Sequence, residues 1–330
     1  MLKGLYILDP KPFEWLYGPD EQRDIASLVD IYAPPQTRDS IKASSSLLAQ
    51  ADVIISGWGA PLMDEAFLAA CPRLRAVFYG GGTIRGFVTQ AFWTREIVVT
   101  SSAAANAIPV SEYTLAVILL SLKHFWSYTN DVRREGKFPM LHQPPGAYHS
   151  TVGLISLGMI GRLVRRRLRP FDLRVLAYDP FLSATEAAKL EVELIPLERI
   201  FQEAEVVSLH TPWLKETEDL ITGAHFASMK PRATFINTSR GAIVREPEMI
   251  EVLQRRPDLT AVLDVTHPEP PVDGSRLYTL PNVVLSPHIA GSMGGEYRRM
   301  GRYMVHELRR FVSGQPLKSA ISEKRAALMA

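Results

Sequence analysis

The sequence predicts an α/β protein, and three observations carry that prediction. Short β-branched or aliphatic runs alternate with helical patterns along the chain. The runs are continuous rather than alternating, which marks strands buried on both faces, as in parallel sheets covered by helices. Proline closes several of them, at Asp9-Pro10, Asp179-Pro180, Thr211-Pro212 and Ser286-Pro287. The residue before proline is biased towards extended or turn backbone, so each pair punctuates the chain at a strand end.

Ten strands are expected, at 5–8, 53–56, 76–78, 98–100, 151–155, 175–178, 206–209, 234–236, 261–263 and 283–285. A long helix is expected over 109–127, where Leu115, Ile118, Leu119 and Leu122 recur at helical spacing. Glu112 then lies in the first turn, where a negative charge suits the helix dipole. The polar stretch 131–150 shows no periodicity and reads as a surface connection. A second helical pattern, 294–311, carries the stripe Met300, Tyr303, Met304 and Leu308, and the last dozen or so residues look loose.

At roughly 150 residues per domain, 330 residues suggest two domains. Hydrophobic residues at 46% exclude whole-chain disorder, because apolar burial can offset the ordering entropy. A net charge of +2 argues against a dedicated nucleic-acid binder. Cys71 is the only cysteine, so neither an intramolecular disulfide nor a Cys-rich zinc site is available, and no metal is expected. The apolar run near 115–120 is far shorter than the roughly 18 residues of a membrane span. The expectation is a soluble, cytoplasmic protein with no membrane or nucleic-acid partner.

Ligands of open α/β sheets sit beyond the carboxyl ends of the strands. The strongest local signal there is Thr151-Val-Gly-Leu-Ile-Ser156-Leu-Gly158-Met159-Ile160-Gly161, an apolar strand running straight into a helix. A second strand follows and ends in Asp179, 179 − 161 = 18 positions after the last glycine. These are the parts of a Rossmann dinucleotide fingerprint. Gly158 lets the backbone approach a pyrophosphate, Gly161 lets helix and strand pack closely, and the acid accepts from the adenosine ribose hydroxyls. The anion would rest on the helix N-terminus. Gly158, Met159, Ile160 and Asp179 are the expected contacts, and a carboxylate at 179 selects NAD over NADP.

Ser156 departs from the pattern by standing at the first glycine position. A small distortion is expected, with φ staying negative. The arginines at 162, 165, 166, 167 and 169 read as a solvated helix face, with phosphate binding as the minor alternative.

Three further strand ends carry polar residues that a core would reject. They are Asn237-Thr238-Ser-Arg240-Gly241, Asp264-Val-Thr-His267-Pro-Glu269-Pro270 and Ser286-Pro-His288-Ile-Ala-Gly291. Arginine can grip a carboxylate bidentately and polarise the adjacent carbonyl. Histidine can pass a proton to or from the substrate oxygen, and a carboxylate behind it orients the ring. His267 is the main rival to His288; the Pro-His-x-x-Gly setting favours His288. The bland alternatives are a structural ion pair for Arg240 and a cap or surface acid for Glu269.

Over nearly its whole length the chain resembles the D-isomer-specific 2-hydroxyacid dehydrogenase family. The resemblance rests on Asn237-Thr-Ser-Arg240-Gly-Ala-Ile-Val, Asp264-Val-Thr-His-Pro-Glu269-Pro and Pro287-His288-Ile-Ala-Gly291, in that order. It implies that Arg240 binds the substrate carboxylate and carbonyl, that His288 is the acid/base and that Glu269 supports it. Asp264 would hold the nicotinamide carboxamide. His210, Thr211, Pro212 and Thr217 match the loop along the cofactor, and Thr238 and Gly291 complete the expected contacts. Asn106 and Val110-Ser111-Glu112 match the start of the interdomain helix.

Consecutive glycines expose N–H groups that can cradle an anion, and Gly80-Gly81-Gly82-Thr83 follows the 76–78 strand. Gly81, Gly82 and Thr83 are therefore carboxylate candidates, a role the resemblance also implies. The family often has aspartate then asparagine near Thr83-Ile84-Arg85. Arg85 could favour a second acidic group or pair with a nearby acid, and Trp58 could wall the pocket or pack in the core.

The expected architecture is a doubly wound Rossmann domain, 104–292, inserted into a smaller flavodoxin-like α/β substrate domain, 1–103 plus 293–330. The two crossings would form a hinge with the site in the cleft. The implied function is hydride transfer between NAD(H) and a D-2-hydroxy or 2-oxo acid, in a homodimer assembled through the Rossmann domain. The competing expectation is an NAD(H)-sensing or corepressor-like protein without significant turnover. Formate oxidation is disfavoured by Arg240 and the glycine loop.

Overall fold

The structure is a computed structural model that describes residues 1–141 and 143–329. The chain divides into two compact units, 1–106 with 292–330, and 107–291.

The first unit holds a five-stranded parallel sheet of β1 (Lys3–Ile7), β2 (Asp30–Ile31), β3 (Val53–Ser56), β4 (Ala76–Tyr79) and β5 (Val98–Ser101), in the order β2-β1-β3-β4-β5. Alternate residues feed opposite faces. Leu5, Ile7, Ile54 and Val77 join one core, while Tyr6, Leu8, Ile55 and Phe78 join the other with Met300, Met304 and Leu308. This two-sided burial is why the strands read as continuous apolar runs.

The second unit holds a seven-stranded parallel sheet, ordered β12-β11-β10-β9-β6-β7-β8. Its strands are β6 (Tyr148–Ile155), β7 (Asp172–Tyr178), β8 (Glu193–Leu194), β9 (Val206–Leu209), β10 (Thr234–Asn237), β11 (Thr260–Leu263) and β12 (Val283–Leu285). One face packs Val152, Leu154, Ala177 and Ile236 on Val164 and Leu168; the other packs Leu209, Phe235 and Leu263 on Ile200, Phe226 and Leu253. Helices on both faces of a parallel sheet make this unit doubly wound. The order turns back between β6 and β9, the switch point where ligands of such sheets bind.

All ten expected strands are present. The two that the sequence did not signal, β2 and β8, are two-residue edge strands, too short to show a pattern. The helix expected over 109–127 instead runs from Ala103 to Ser121 and passes through Pro109. Ser101 Oγ accepts from Ala103 N at 3.0 Å at its start, and His124 at φ 52° breaks its far end. Glu112 is therefore mid-helix, paired with Arg167 at 2.7 Å. This helix has the length and apolarity of a membrane span, in contrast to the sequence expectation, but Val117 and Ile118 lie in the core against β6 and β10.

The surface connection expected over 131–150 is shorter. A helix, Phe125–Glu135, runs into it and closes on Gly136 in the left-handed region, with Arg133 and Arg134 in the dipole-favoured last turn. The tail is not loose either. Glu307 accepts from Ser319, Ile321 N bonds Val99 O at 2.9 Å, and Ile321 and Ala326 are buried.

Candidate functional site

β6 ends at Ile155 and Ser156 turns the chain with φ +70°, not with the negative value expected. A side chain in the left-handed region costs about 1–2 kcal/mol. What holds it is the Ser156 hydroxyl, 2.8 Å from Thr211 Oγ1 in the loop after β9. The two glycines have different tasks. A Cβ on Gly161 would lie 2.3 Å from Ser156 O, so that position enforces close helix–strand packing; a Cβ on Gly158 would meet nothing within 4 Å.

Gly158 caps the Met159–Leu168 helix, with Met159 exposed and Ile160 half-buried. The free amides of its first turn and the space at Gly158 fit a dinucleotide pyrophosphate. Asp179, at the end of β7, is tied to the same turn: its carboxylate accepts from Leu157 N at 2.7 Å and Phe181 N at 2.9 Å. Of the basic helix face, Arg162, Arg165, Arg167 and Arg169 pair with Glu186, Glu191 and Glu112.

After β9 come His210, Thr211 and Pro212. His210 N bonds Ile155 O, its ring Nε2 sits 3.1 Å from Ser208 Oγ, and burial pushes its pKa down to about 4. The ring is thus neutral. Thr217 works inside its own loop, donating to Pro212 O at 2.6 Å and accepting from Leu214 N at 2.8 Å. Thr238 is buried beside Thr114.

Past β10 the Asn237 amide clamps the turn that carries Arg240. It accepts from Ser239 N at 2.9 Å and donates to Arg240 O at 3.0 Å. Gly241 is required there, because a Cβ would lie 2.0 Å from Thr266 C. Ser239 Oγ donates to Thr211 O, linking this turn to the loop after β9. Burial lowers the Arg240 pKa and the Glu269 charge opposes that shift, while the guanidinium donates to Ser239 O at 2.6 Å.

His288 Nδ1 is 2.6 Å from Glu269 Oε1. That contact leaves Nε2 as the nitrogen available to another molecule. His267 turns elsewhere: its ring stands edge-on to Trp213, 5.3 Å between centroids, and its N–H bonds Glu246. A cavity of about 490 Å³ flanks the pair, lined by Asp264, Glu269, Pro270, Tyr278, Leu285 and His288. Among the described residues no group of three or more His, Cys, Asp or Glu could hold a metal ion.

Asp264, 2% exposed, follows β11 and is spent on the loop that carries His288. Its carboxylate accepts from Ser286 Oγ at 2.6 Å and from Ile289 N and Ala290 N at 2.9 Å each. Its carbonyl accepts from His288 N at 3.0 Å. His288 itself has φ +54°. Sequence reasoning missed Ser286 and its neighbour Tyr113; their only signal was adjacency to His288 and Glu112. Gly291 is the last residue of this unit.

In the first unit, the Gly81 carbonyl accepts from Ser101 Oγ and Ser102 Oγ, and that of Gly82 from Ser101 Oγ. Thr83 Oγ1 accepts from Arg85 N at 3.4 Å, and Arg85 also bonds the carbonyl of Met329. Trp58 is edge-on to Tyr297, which stacks on Trp15. Asn106 Oδ1 accepts from Ser292 N at 2.7 Å.

The family model described as D-isomer specific 2-hydroxyacid dehydrogenase, NAD binding domain, matches residues 115–290. A D-3-phosphoglycerate dehydrogenase of Archaeoglobus fulgidus is 30% identical over 264 residues, 79% of this chain and 49% of the relative. A glyoxylate reductase of Korarchaeum cryptofilum is 31% identical over 289 residues, 86% of this chain and 85% of the relative. The chain thus spans about half the length of the phosphoglycerate dehydrogenases it matches, but most of the glyoxylate reductase. The NAD-complexed crystal structure of a D-isomer specific 2-hydroxyacid dehydrogenase from Lactobacillus delbrueckii ssp. bulgaricus shares the fold at 20% identity, with a TM-score of 0.79 over 98% of this chain and 100% of that one.

Proposed function

The chain belongs to the D-isomer specific 2-hydroxyacid dehydrogenase family, and we propose that it interconverts a small 2-oxo acid and its D-2-hydroxy acid using NAD(H). The observation that carries this reading is the 2.6 Å contact between His288 Nδ1 and Glu269 Oε1.

The turn Gly158-Met159-Ile160, Asp179 and the loop at His210-Thr211-Pro212 are the groups that would hold the cofactor, with Thr238 and Gly291 beside them. When bound, NAD(H) supplies or accepts the hydride at C2 of the substrate. Arg240 grips the substrate carboxylate and polarises the C2 oxygen. His288, through Nε2, gives that oxygen its proton on reduction and takes it back on oxidation. Glu269 holds the imidazole by its Nδ1–H and stabilises the imidazolium. Asp264 shapes the His288 loop with three accepted bonds, and of its roughly four acceptor sites one is left for the nicotinamide carboxamide. Gly81, Gly82 and Thr83 supply amide donors for a carboxylate.

The test is NADH oxidation, followed at its near-ultraviolet absorbance, with glyoxylate, hydroxypyruvate, pyruvate and phenylpyruvate. Turnover of at least one acid is expected; NADH binding without any turnover would favour a cofactor sensor. Asp179→Asn should narrow the preference for NADH over NADPH about tenfold, because the 2′-phosphate no longer meets a negative charge. Unchanged preference sinks the cofactor assignment. Light scattering should give a dimer of twice the 36.8 kDa chain, and cell fractionation a cytoplasmic location; a monomer or a membrane fraction overturns those two readings.

A further inference from the structure

Two polar groups on the His288 loop and its neighbouring helix, Ser286 and Tyr113, have no place in the mechanism above. Tyr113 OH lies 2.9 Å from Ser286 Oγ, and Ser286 Oγ donates to Asp264 Oδ1 at 2.6 Å. A serine hydroxyl has one proton, and an ionised carboxylate can only accept. With that proton committed to Asp264, Tyr113 must be the donor to Ser286. The order is therefore fixed: Tyr113 O–H to Ser286 Oγ, Ser286 O–H to Asp264. Burial pushes the Tyr113 phenol above its ordinary pKa, so it keeps the proton it donates.

This chain ends on the carboxylate around which residues 286–290 are wrapped. His288 needs that support, since its left-handed backbone is disfavoured unless the surroundings hold it. The Asp264 carboxylate is reached from Ser286 on one side of His288 and from Ile289 and Ala290 on the other, while His288 N itself bonds the Asp264 carbonyl. Tyr113 stands on the Ala103–Ser121 helix, within the part that belongs to the second unit. A donor fixed to a core helix is a firmer reference than any group on the loop itself.

We infer that Tyr113 is a positioning residue for proton transfer, acting through Ser286 and Asp264 to hold the His288 ring against Glu269. This inference rests on the acid/base reading of His288 given above. Tyr113 touches neither reacting atom, so its loss should slow the chemical step without weakening binding.

In the full-length enzyme, Tyr113→Phe should lower kcat about five- to tenfold while the 2-oxo acid KM and the NADH Kd stay within about twofold. Ser286→Ala should do the same, and Ser286→Thr, which keeps the hydroxyl, should retain wild-type kcat. Because the residues act in series, the Tyr113→Phe/Ser286→Ala double variant should be no slower than Ser286→Ala alone. Wild-type kcat in Tyr113→Phe overturns the inference. So do multiplying losses in the double variant, or a KM and Kd that worsen as much as kcat.

The ring 15N resonances of His288 give a readout that needs no turnover. Tyr113→Phe should move or broaden the His288 Nδ1 signal and leave that of His267 in place. If the wild-type enzyme reduces no 2-oxo acid, the functional reading fails, and these resonances still decide whether Tyr113 positions the ring. An unmoved His288 signal then overturns the positioning role.

Discussion

Just past the carboxyl ends of two strands of the seven-stranded sheet a non-glycine residue takes the left-handed region, and the two are held in different ways. Ser156 turns the chain after β6 with φ +70°, and His288 does so after β12 with φ +54°. At Ser156 the visible side-chain compensation is one bond, from hydroxyl to Thr211 Oγ1. At His288 a buried carboxylate collects three donors from the surrounding loop, and the Asp264 carbonyl takes His288 N. Strain that only shapes a turn can be lightly held; strain that aims a reacting ring is held from several sides.

The largest effect should come from removing the ring that the second strand end presents. His288→Ala should lower kcat by about 10²–10⁴-fold, the usual contribution of a positioned acid/base group. Steady-state NADH oxidation with the best 2-oxo acid measures it, and full activity would transfer the role to another group.

Asp264→Asn breaks the support and keeps the ring. An amide presents donors where Ile289 N or Ala290 N needs an acceptor, leaving a buried N–H unpaired. We expect a loss of roughly 3 kcal/mol in urea unfolding, together with a fall in kcat. Unchanged stability would mean that the loop holds its shape without Asp264.

Acid should attack the other strand end, through His210, whose backbone N–H bonds Ile155 beside Ser156. Folded, this ring takes a proton only near pH 4, against an ordinary value of 6.5. Below pH 6.5 the unfolded chain therefore binds a proton that the folded chain refuses, and stability falls as pH drops towards 4. Between pH 7 and 5 the protein should lose about 2 kcal/mol more than His210→Gln does. Parallel losses would mean that His210 titrates normally in the fold.

The smallest effect separates strain from support at Ser156. Ser156→Ala keeps the left-handed Cβ and deletes the bond to Thr211, costing about 1 kcal/mol. Ser156→Gly deletes the bond and relieves the strain, so it should melt above the alanine variant. The reverse order would show that the turn is unstrained.

Local chemistry made much of this legible. Near-continuous apolar runs located ten strands, because a strand buried on both faces is apolar at most positions, with small hydroxyl residues such as Ser56 and Ser208 as the exceptions. The glycine turn and Asp179 were legible because their spacing spans one strand–helix–strand unit. The Phe125–Glu135 helix was not. It buries no side chain fully, with only Trp126 packed partly on the core, so its apolar stripe is weak, and its end depends on the backbone of Gly136.

What the sequence by itself determined is the α/β class, the strand ends that carry polar groups and the residue types available there. Those follow from interactions within a few residues of one another. What only the tertiary structure decided is which of those groups meet. Glu269 takes His288, 19 positions away, while neighbouring His267 turns to Trp213. Asp264 is committed to the loop after β12, and Tyr113 reaches Ser286 across 173 positions. Ser156 takes a positive φ because Thr211, 55 residues on, is there to bond it. Parallel strand order brings distant loops to one edge of a sheet, and no local pattern encodes that order.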